Sequence, residues 1–493
     1  HGEVFVMRDG LETDQDMGNY ERFLNEDISQ KNYMTSGMVY KSVIDRERAL
    51  GYGGKCVEAF PHVRDEIVQR LEAAAEEHGS DITVVEIGGT IGDYQNIMFM
   101  EAARTMRIHN PKDVIVIVVS YVPIPGTIGE MKSKPTQNAI RQLNGYGLHA
   151  DFIIARSEVP LDDKRKDKIS VACNVPVQNV ISAPDIKSIY DVPINFEKEG
   201  LSDLMCELLS VKCRKPDSPR YLEWKKFVSN VRNSKEEVHI AVIGKYFDTG
   251  DFVLSDAYIS VIEAVKYSAY ALKKKPVLTW FNALDFEKDP KKVKSLSKFD
   301  GILVPGGFGA RGIEGKLNVI KFARENKIPY FGLCYGMQLL VIEFARNVAG
   351  FKGAHSREVD PKSPHLVIDV MESQKDIIDG KNKKYGGTMR LGAYPCVLKD
   401  GTHARNAYGA GKINERHRHR YEVNQEYIKP LEEKGLIFSG ISPDKTLMEI
   451  AELPKSVHPF MVGSQFHPDF KARPLEPHPL FTAFIKASLK NKK

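Results

Sequence analysis

Nothing in this 493-residue sequence is long and apolar enough to cross a bilayer as a helix. The greasiest stretch, VIVIVVSYV from Val114, meets Tyr and Pro far short of the ~20 residues that a spanning helix needs. It predicts a buried strand in a water-soluble protein, with no membrane among its partners. Cysteine is scarce as well: the six residues at 56, 173, 206, 213, 334 and 396 form no CxxC pair and share no spacing. That argues against a disulfide scaffold and a zinc site, and fits a reducing cytoplasm. Charge of one sign is also lacking. Seventy Lys and Arg stand against 65 Asp and Glu, a net of +5, and the basic clusters KRKDK (164–168) and KKK (273–275) are too short for a nucleic-acid-binding stripe. They read as solvated faces. No internal repeat or low-complexity tract is present. Hydrophobic residues at 42% and charged residues at 27% are ordinary globular values, and the length calls for two or three domains at ~100–200 residues each.

Two stretches alternate strand-like and helix-like runs. The first, from Asp81 to Ala155, reads ITVVEI, NIMFMEAARTMR, VIVIVVSYV, QNAIRQLNGYG, DFIIAR. The second, from Val238, reads HIAVIG, AYISVIEAVKYSAYAL, PVLTWF, FDGILVPGG, LNVIKFARE, IPYFGLC. Both are βαβ patterns, so the expected class is α/β, with two domains, each a mostly parallel sheet flanked by helices. Between them residues 213–237 are charged and Pro-punctuated and predict a linker with one short helix. The expected division is 1–212, 213–237 and 238–493.

In the second half, Gly332-Leu333-Cys334-Tyr335-Gly336 ends a strand and opens the apolar helix MQLLVIEFARNV. This is the spacing of a nucleophile elbow, with glycines for close backbone packing and a helix N-terminus that favours a thiolate. A cysteine nucleophile needs a base and a group to orient it, and GSQFHPDF (463–470) supplies His467 and, two residues on, Asp469. A third piece, LVPGGFGARG (303–312), ends a strand in glycines whose amides suit an oxyanion. In the first half, Glu12, Asp14 and Asp16 alternate as if on one face of an extended segment, a cation site. Glu86 follows an apolar strand and precedes two glycines; Lys132 and Lys134 precede a helix start, as in a phosphate pocket.

In that order, PGGFG, GLCYGMQ and QFHPD resemble the class I glutamine amidotransferase domain. The resemblance implies Cys334 as nucleophile, His467 as acid and base, Asp469 as orienter and Gly307 as oxyanion donor. It also implies Gln338, Glu358 and Arg418 as the groups that hold glutamine. Over the whole chain, HGEVFV, DGLETDQDMGNYERF, EIGGTIGD, KSKPTQ, CNVPVQNVIS, SIYDVP, GGTMRLG, ERHRHRYEVN and QFHPDF resemble the CTP synthase family. That family implies a P-loop-NTPase-like synthetase half: ATP phosphorylates UTP, ammonia from glutamine gives CTP, and GTP activates glutamine hydrolysis. Carried onto this sequence, Asp16 and Glu86 match magnesium-binding acids. Lys132, Lys134, Gln137 and Lys168 match the UTP/CTP pocket, His1 the ammonia passage, and Phe308 and Arg390 the GTP-linked positions. A homotetramer, with filaments as a further assembly, is the partner state the family implies.

Two departures bear on these expectations. Asp469 stands where the family has Glu, one methylene shorter. Relatives also carry a lysine-bearing phosphate loop ahead of HGEVFV, and neither GYGGKC (51–56) nor VIGKYF (242–247) has its spacing, so this sequence is expected to be part of a longer chain. On sequence alone, a degenerate relative that keeps only glutaminase activity or a nucleotide-dependent structural role stays open.

Overall fold

The computed structural model describes residues 3–126, 129–212, 218–244, 255–371, 374–375 and 387–492. Among them, those within 1–30 and 229–493 make one compact unit and those within 31–228 another. The division drawn along the sequence follows chain order, whereas packing assigns the first thirty residues to the unit that holds the C-terminal half.

That early segment is a hairpin and a helix. Strands β1 (Val4–Val6) and β2 (Glu12–Asp14) pair antiparallel, and the helix Gln15–Leu24 follows at once. The run of alternating acids is therefore broken. Glu12 and Asp14 lie on a strand, while Asp16 sits in the first turn of the helix, so the three do not share one extended face.

In the unit spanning 31–228, β3 (Ile117–Tyr121), β4 (Phe152–Ser157) and β5 (Val180–Pro184) form a parallel sheet in the order β3-β4-β5. Helices Ile97–His109, Lys134–Gly145 and Asp163–Cys173 contribute Met100, Ile140, Leu143 and Ile169 to the core beneath it. Pro135 at the first turn and the Asp162 carboxylate, which accepts from the Arg165 amide, start the last two helices. ITVVEI behaves differently from the expected strand. Residues 83–89 join no ladder among the described residues, and Val84 is 84% exposed. A β pattern becomes a strand only where a neighbouring ladder takes up its amides. The region 213–237 holds the helix Pro219–Asn233, whose Trp224 and Phe227 are buried.

The larger unit is built on nine strands: β6 (Glu237–Gly244), β7 (Lys275–Asn282), β8 (Gly301–Val304), β9 (Tyr330–Leu333), β12, β13, β15, β16 and β17. Two further strands, β10 (His355–Ser356) and β11 (Leu366–Val370), form a small sheet with β14 (Tyr421–Val423). The remaining ranges are β12 (Arg390–Leu398), β13 (Lys412–His419), β15 (Ile437–Ile441), β16 (Met448–Glu452) and β17 (Met461–Ser464). The large sheet runs β13-β12-β15-β16-β17-β9-β8-β6-β7. Only the part from β17 to β7 is parallel; β13 to β17 pair antiparallel, so this sheet is mixed. Among the described residues no helix is long and apolar enough to cross a membrane. Four described cysteines are free thiols, but Cys206 is disulfide-bonded, where a reducing compartment predicts a thiol.

Candidate active site

Three parallel strands bring the expected residues to one sheet edge. Ser464 of β17 lies beside Leu333 of β9, and Val304 of β8 lies beside Gly332. The residues that follow each strand therefore meet: Gln465 to His467, Cys334, and the glycines 306 and 307. Ligand sites in α/β sheets form at this carboxyl edge because the connecting loops converge there.

Cys334 adopts φ 48° and ψ −98°, a backbone that residues with a side chain seldom take. Its amide donates to the Ser464 carbonyl at 2.6 Å, which fixes the elbow against β17. The flanking glycines are required by contact: a methyl group on Gly336 would lie 2.3 Å from the Val304 carbonyl oxygen, and one on Gly332 would lie 2.6 Å from the Gly336 carbonyl carbon. The helix Tyr335–Asn347 begins at the next residue.

His467 is held from three sides. Its amide donates to the Arg416 carbonyl at 2.8 Å, its ring stacks on Phe470 with centroids 4.8 Å apart, and its Nδ1 lies 3.5 Å from Asp469 Oδ1. Pro468–Lys471 is a short 3-10 turn, so the carboxylate meets the imidazole from a turn. Burial alone lowers the pKa of this imidazole. The negative charges of Asp469 and then Cys334 outweigh it and hold the ring up at about 10. Asp469 Oδ1 is buried without a hydrogen-bond partner, as expected of an acid one methylene short.

A cavity of about 370 Å³ opens beside the thiol, within the ~300–1,000 Å³ usual for small-ligand sites. Gly307, Phe308, Cys334, Gln338, Glu358 and Arg418 all line it, so each glutamine-binding residue expected from the sequence reaches one wall. Glu358 accepts from the Gly309 amide at 2.9 Å, and Gln338 Nε2 donates to the Tyr421 carbonyl at 2.9 Å. Sequence reasoning missed Met389, His419 and Tyr421 on the same wall, and Gln465, whose Nε2 lies 3.6 Å from Cys334 Sγ. Gln465 sits two residues before His467, which is the signal that could have found it.

Behind the wall, Arg390 donates to Glu449 at 2.8 Å and from its other arm to His417 Nδ1 at 3.3 Å. It is 8% exposed and does not line the cavity. His417 and His419 are buried in the same network. Burial and the Arg390 charge keep both imidazoles neutral, His419 down at about 3.

In the other unit, Lys132 pairs with Glu130 at 2.5 Å, and Glu130, Ser133 and Lys168 line a cleft with Lys164 and Arg165. The Lys132 hydrogen bond, chiefly, holds the Glu130 carboxyl below its usual range, helped by Lys168 and Arg165. Gln137 donates to Ser133 at 3.1 Å, and Lys134 opens the same helix without lining the cleft. Glu86 lies in the segment that joins no ladder among the described residues, ahead of a turn in which Asp93 accepts from the Thr90 amide at 2.8 Å. Asp16 and Glu86 are exposed carboxylates, the hard oxygen donors that a magnesium ion takes. His1 lies outside the described residues.

A cysteine on a strained elbow, an imidazole from the adjacent parallel strand, an acid behind it and a cavity with an arginine opposite define a class I glutamine amidotransferase. The glutamine amidotransferase class-I model matches residues 253–487. A second model, CTP synthase N-terminus, matches residues 1–211. A CTP synthase of Caldanaerobacter subterraneus subsp. tengcongensis is 48% identical over 99% of this chain and 88% of its own length. One of Thermococcus gammatolerans is 46% identical over 100% and 89%. The chain belongs to the CTP synthase family. Among solved structures, the glutaminase domain of Trypanosoma brucei CTPS with bound acivicin is 35% identical, covering 51% of this chain and 94% of that one, with a TM-score of 0.46.

Proposed function

We propose that this protein makes CTP from UTP, spending ATP and taking its nitrogen from glutamine, within a synthetase segment (1–212) and a glutaminase segment (238–493) joined by 213–237. The observation that carries the reading is the pairing of Cys334 with His467 at a cavity that Cys334 and Arg418 both line, on a chain whose first part matches the synthetase model.

In this reading the Cys334 thiolate attacks the side-chain carbonyl carbon of glutamine. Gly307 and the amide after the nucleophile stabilise the oxyanion, and His467 gives its proton to the departing nitrogen, which leaves as ammonia. Water, deprotonated by His467, then cleaves the thioester to glutamate. Asp469 orients the ring, while Gln338, Glu358 and Arg418 hold the amino-acid end, Arg418 through its fork. In the synthetase half, O4 of UTP takes a phosphoryl group from ATP and ammonia displaces phosphate. Lys132, Lys134, Gln137 and Lys168 hold the pyrimidine nucleotide. Asp16 and Glu86 hold magnesium, which when bound neutralises phosphate charge. GTP acts through Phe308 and Arg390, His1 borders the ammonia passage, and the working form is a cytoplasmic homotetramer.

The test is Cys334→Ala in the intact protein. Glutamine-dependent CTP formation is expected to vanish while synthesis from added ammonium continues. Retained glutamine use overturns the assignment of the nucleophile.

A further inference from the structure

The acid at the head of β2 is turned onto the cavity wall of its own unit. Arg418 Nε donates to Glu12 Oε1 at 2.8 Å, and both side chains are about one-fifth exposed (20% and 22%). Glu12 does not line the cavity; Arg418 does, with its guanidinium carbon 5.2 Å from the centre of the Phe308 ring. The hairpin that carries Glu12 is itself fastened opposite Arg418. Leu391 is the cross-strand neighbour of Arg418, and Gly10, at φ 92°, packs so closely that a methyl group there would lie 2.9 Å from the Leu391 carbonyl oxygen. The Ala393 amide donates to the Arg8 carbonyl at 2.9 Å, which closes the hairpin onto β12. Glu12 thus has a fixed mount, and its partner Arg418 lines the cavity between the Glu12 carboxylate and the Phe308 ring.

We infer that Glu12 is a positioning residue for glutamine: it grips Arg418 by Nε so that the two terminal nitrogens face the cavity as a preset fork for the substrate α-carboxylate. A guanidinium offers five N–H donors in one plane, so one carboxylate on the Nε edge leaves donors for a second. An untethered arginine at a cavity wall has to be ordered when substrate arrives, and that cost weakens binding. The effect belongs to binding, since the α-carboxylate is remote from the amide that reacts. This inference rests on the glutaminase reading above, and it assigns Glu12 away from a cation site with Asp14 and Asp16.

The experiment measures glutamine hydrolysis by the full chain in wild type, Glu12→Ala and Glu12→Gln. Loss of a charge-assisted hydrogen bond predicts a KM for glutamine raised ~10-fold or more in Glu12→Ala with kcat little changed. Glu12→Gln, which still presents an oxygen to Nε, recovers most of the loss. Inactivation of Cys334 by 6-diazo-5-oxo-L-norleucine, which carries an α-carboxylate, slows in Glu12→Ala, while alkylation by iodoacetamide, which carries none, does not. Should Glu12→Ala fail to fold, Glu12→Asp keeps the charge, withdraws it by one methylene and is expected to raise KM as well. An unchanged KM, a fall in kcat alone, or equal slowing by both reagents overturns the inference. A wild type that hydrolyses no glutamine overturns the underlying reading instead.

Discussion

Asp469 is the residue at which the distances and the charges pull apart. It is 2% exposed and lies 3.5 Å from His467 Nδ1, too far for a good hydrogen bond, yet its charge is the main influence keeping the imidazole protonated against burial. A nearby carboxyl does not add to that charge: burial first, and Asp469 second, raise Glu3 to about 8, so Glu3 is largely protonated at neutral pH. The sign for His467 follows from a folded pKa of about 10 against an ordinary 6.5. The stabilisation it brings is complete below about 6.5 and is lost as pH rises through about 10. Asp469→Asn is therefore expected to move the alkaline limb of Cys334 alkylation by iodoacetamide to lower pH. Asp469→Glu, which closes the gap to Nδ1, is expected to keep or raise the glutaminase rate. An unmoved limb together with a collapsed rate in Asp469→Glu assigns the orienting role elsewhere. Cys334 and His467 were legible in sequence because each carries its neighbours with it, glycines for one and a Pro-Asp turn for the other. Glu12 was read as a cation ligand because its partner lies 406 residues away, and no local spacing can announce such a pair.

At the scale of elements, the elbow depends on three backbones closing on one another. The Gly336 carbonyl accepts from the Tyr330 hydroxyl at 2.9 Å, and its Cα faces the Val304 carbonyl of the next strand. Gly336→Ala places a methyl group against rigid backbone rather than a movable side chain. Overpacking of this kind costs about 1–3 kcal/mol. The expected outcome is a lower urea midpoint and a loss of glutaminase activity larger than the stability change explains, since the displaced helix start carries Cys334 with it. A variant as stable and active as wild type would show that β8 and β9 can separate without harm. Strands such as β4, β6, β8 and β9 were visible because their apolar runs are nearly continuous, as buried parallel strands require. The antiparallel half was not. In β13, Glu415, Arg416, His417 and His419 are buried, so the strand shows no apolar alternation at all; its charges are matched by partners from distant segments. ITVVEI failed in the opposite direction, having the apolar pattern of a strand and no ladder among the described residues.

At the scale of the larger unit, those buried charges explain why a segment from the start of the chain folds with its end. Arg416 is wholly buried. Its Nη2 lies 2.8 Å from both Glu21 and Asp27, its Nη1 donates to the Val6 carbonyl at 3.2 Å, and Arg473 also pairs with Asp27. The Arg416 carbonyl in turn holds the amide of His467. Burial raises the Glu21 carboxyl even with Arg416 present, whereas the two arginines carry Asp27 below its usual range against the opposing effect of burial. Removing one member of such a group leaves an uncompensated charge, which costs about 3–5 kcal/mol, while replacing a matched pair by apolar residues costs little. Arg416→Ala is therefore expected to destabilise this unit by about that much, and Arg416→Met combined with Glu21→Leu to recover a large part. The chain has two tryptophans, Trp224 in one unit and Trp280 on β7 in the other, so urea unfolding followed by fluorescence in a Trp224→Phe background reads the unit of interest alone. A loss under about 1 kcal/mol in Arg416→Ala, typical of a solvated pair, would mean that the early segment adds no stability through this network. A full loss that the double replacement does not relieve would place the stabilising contact elsewhere, in the ring pair Phe5 and Phe470, whose centroids lie 5.2 Å apart and whose Phe470 stacks on the His467 imidazole.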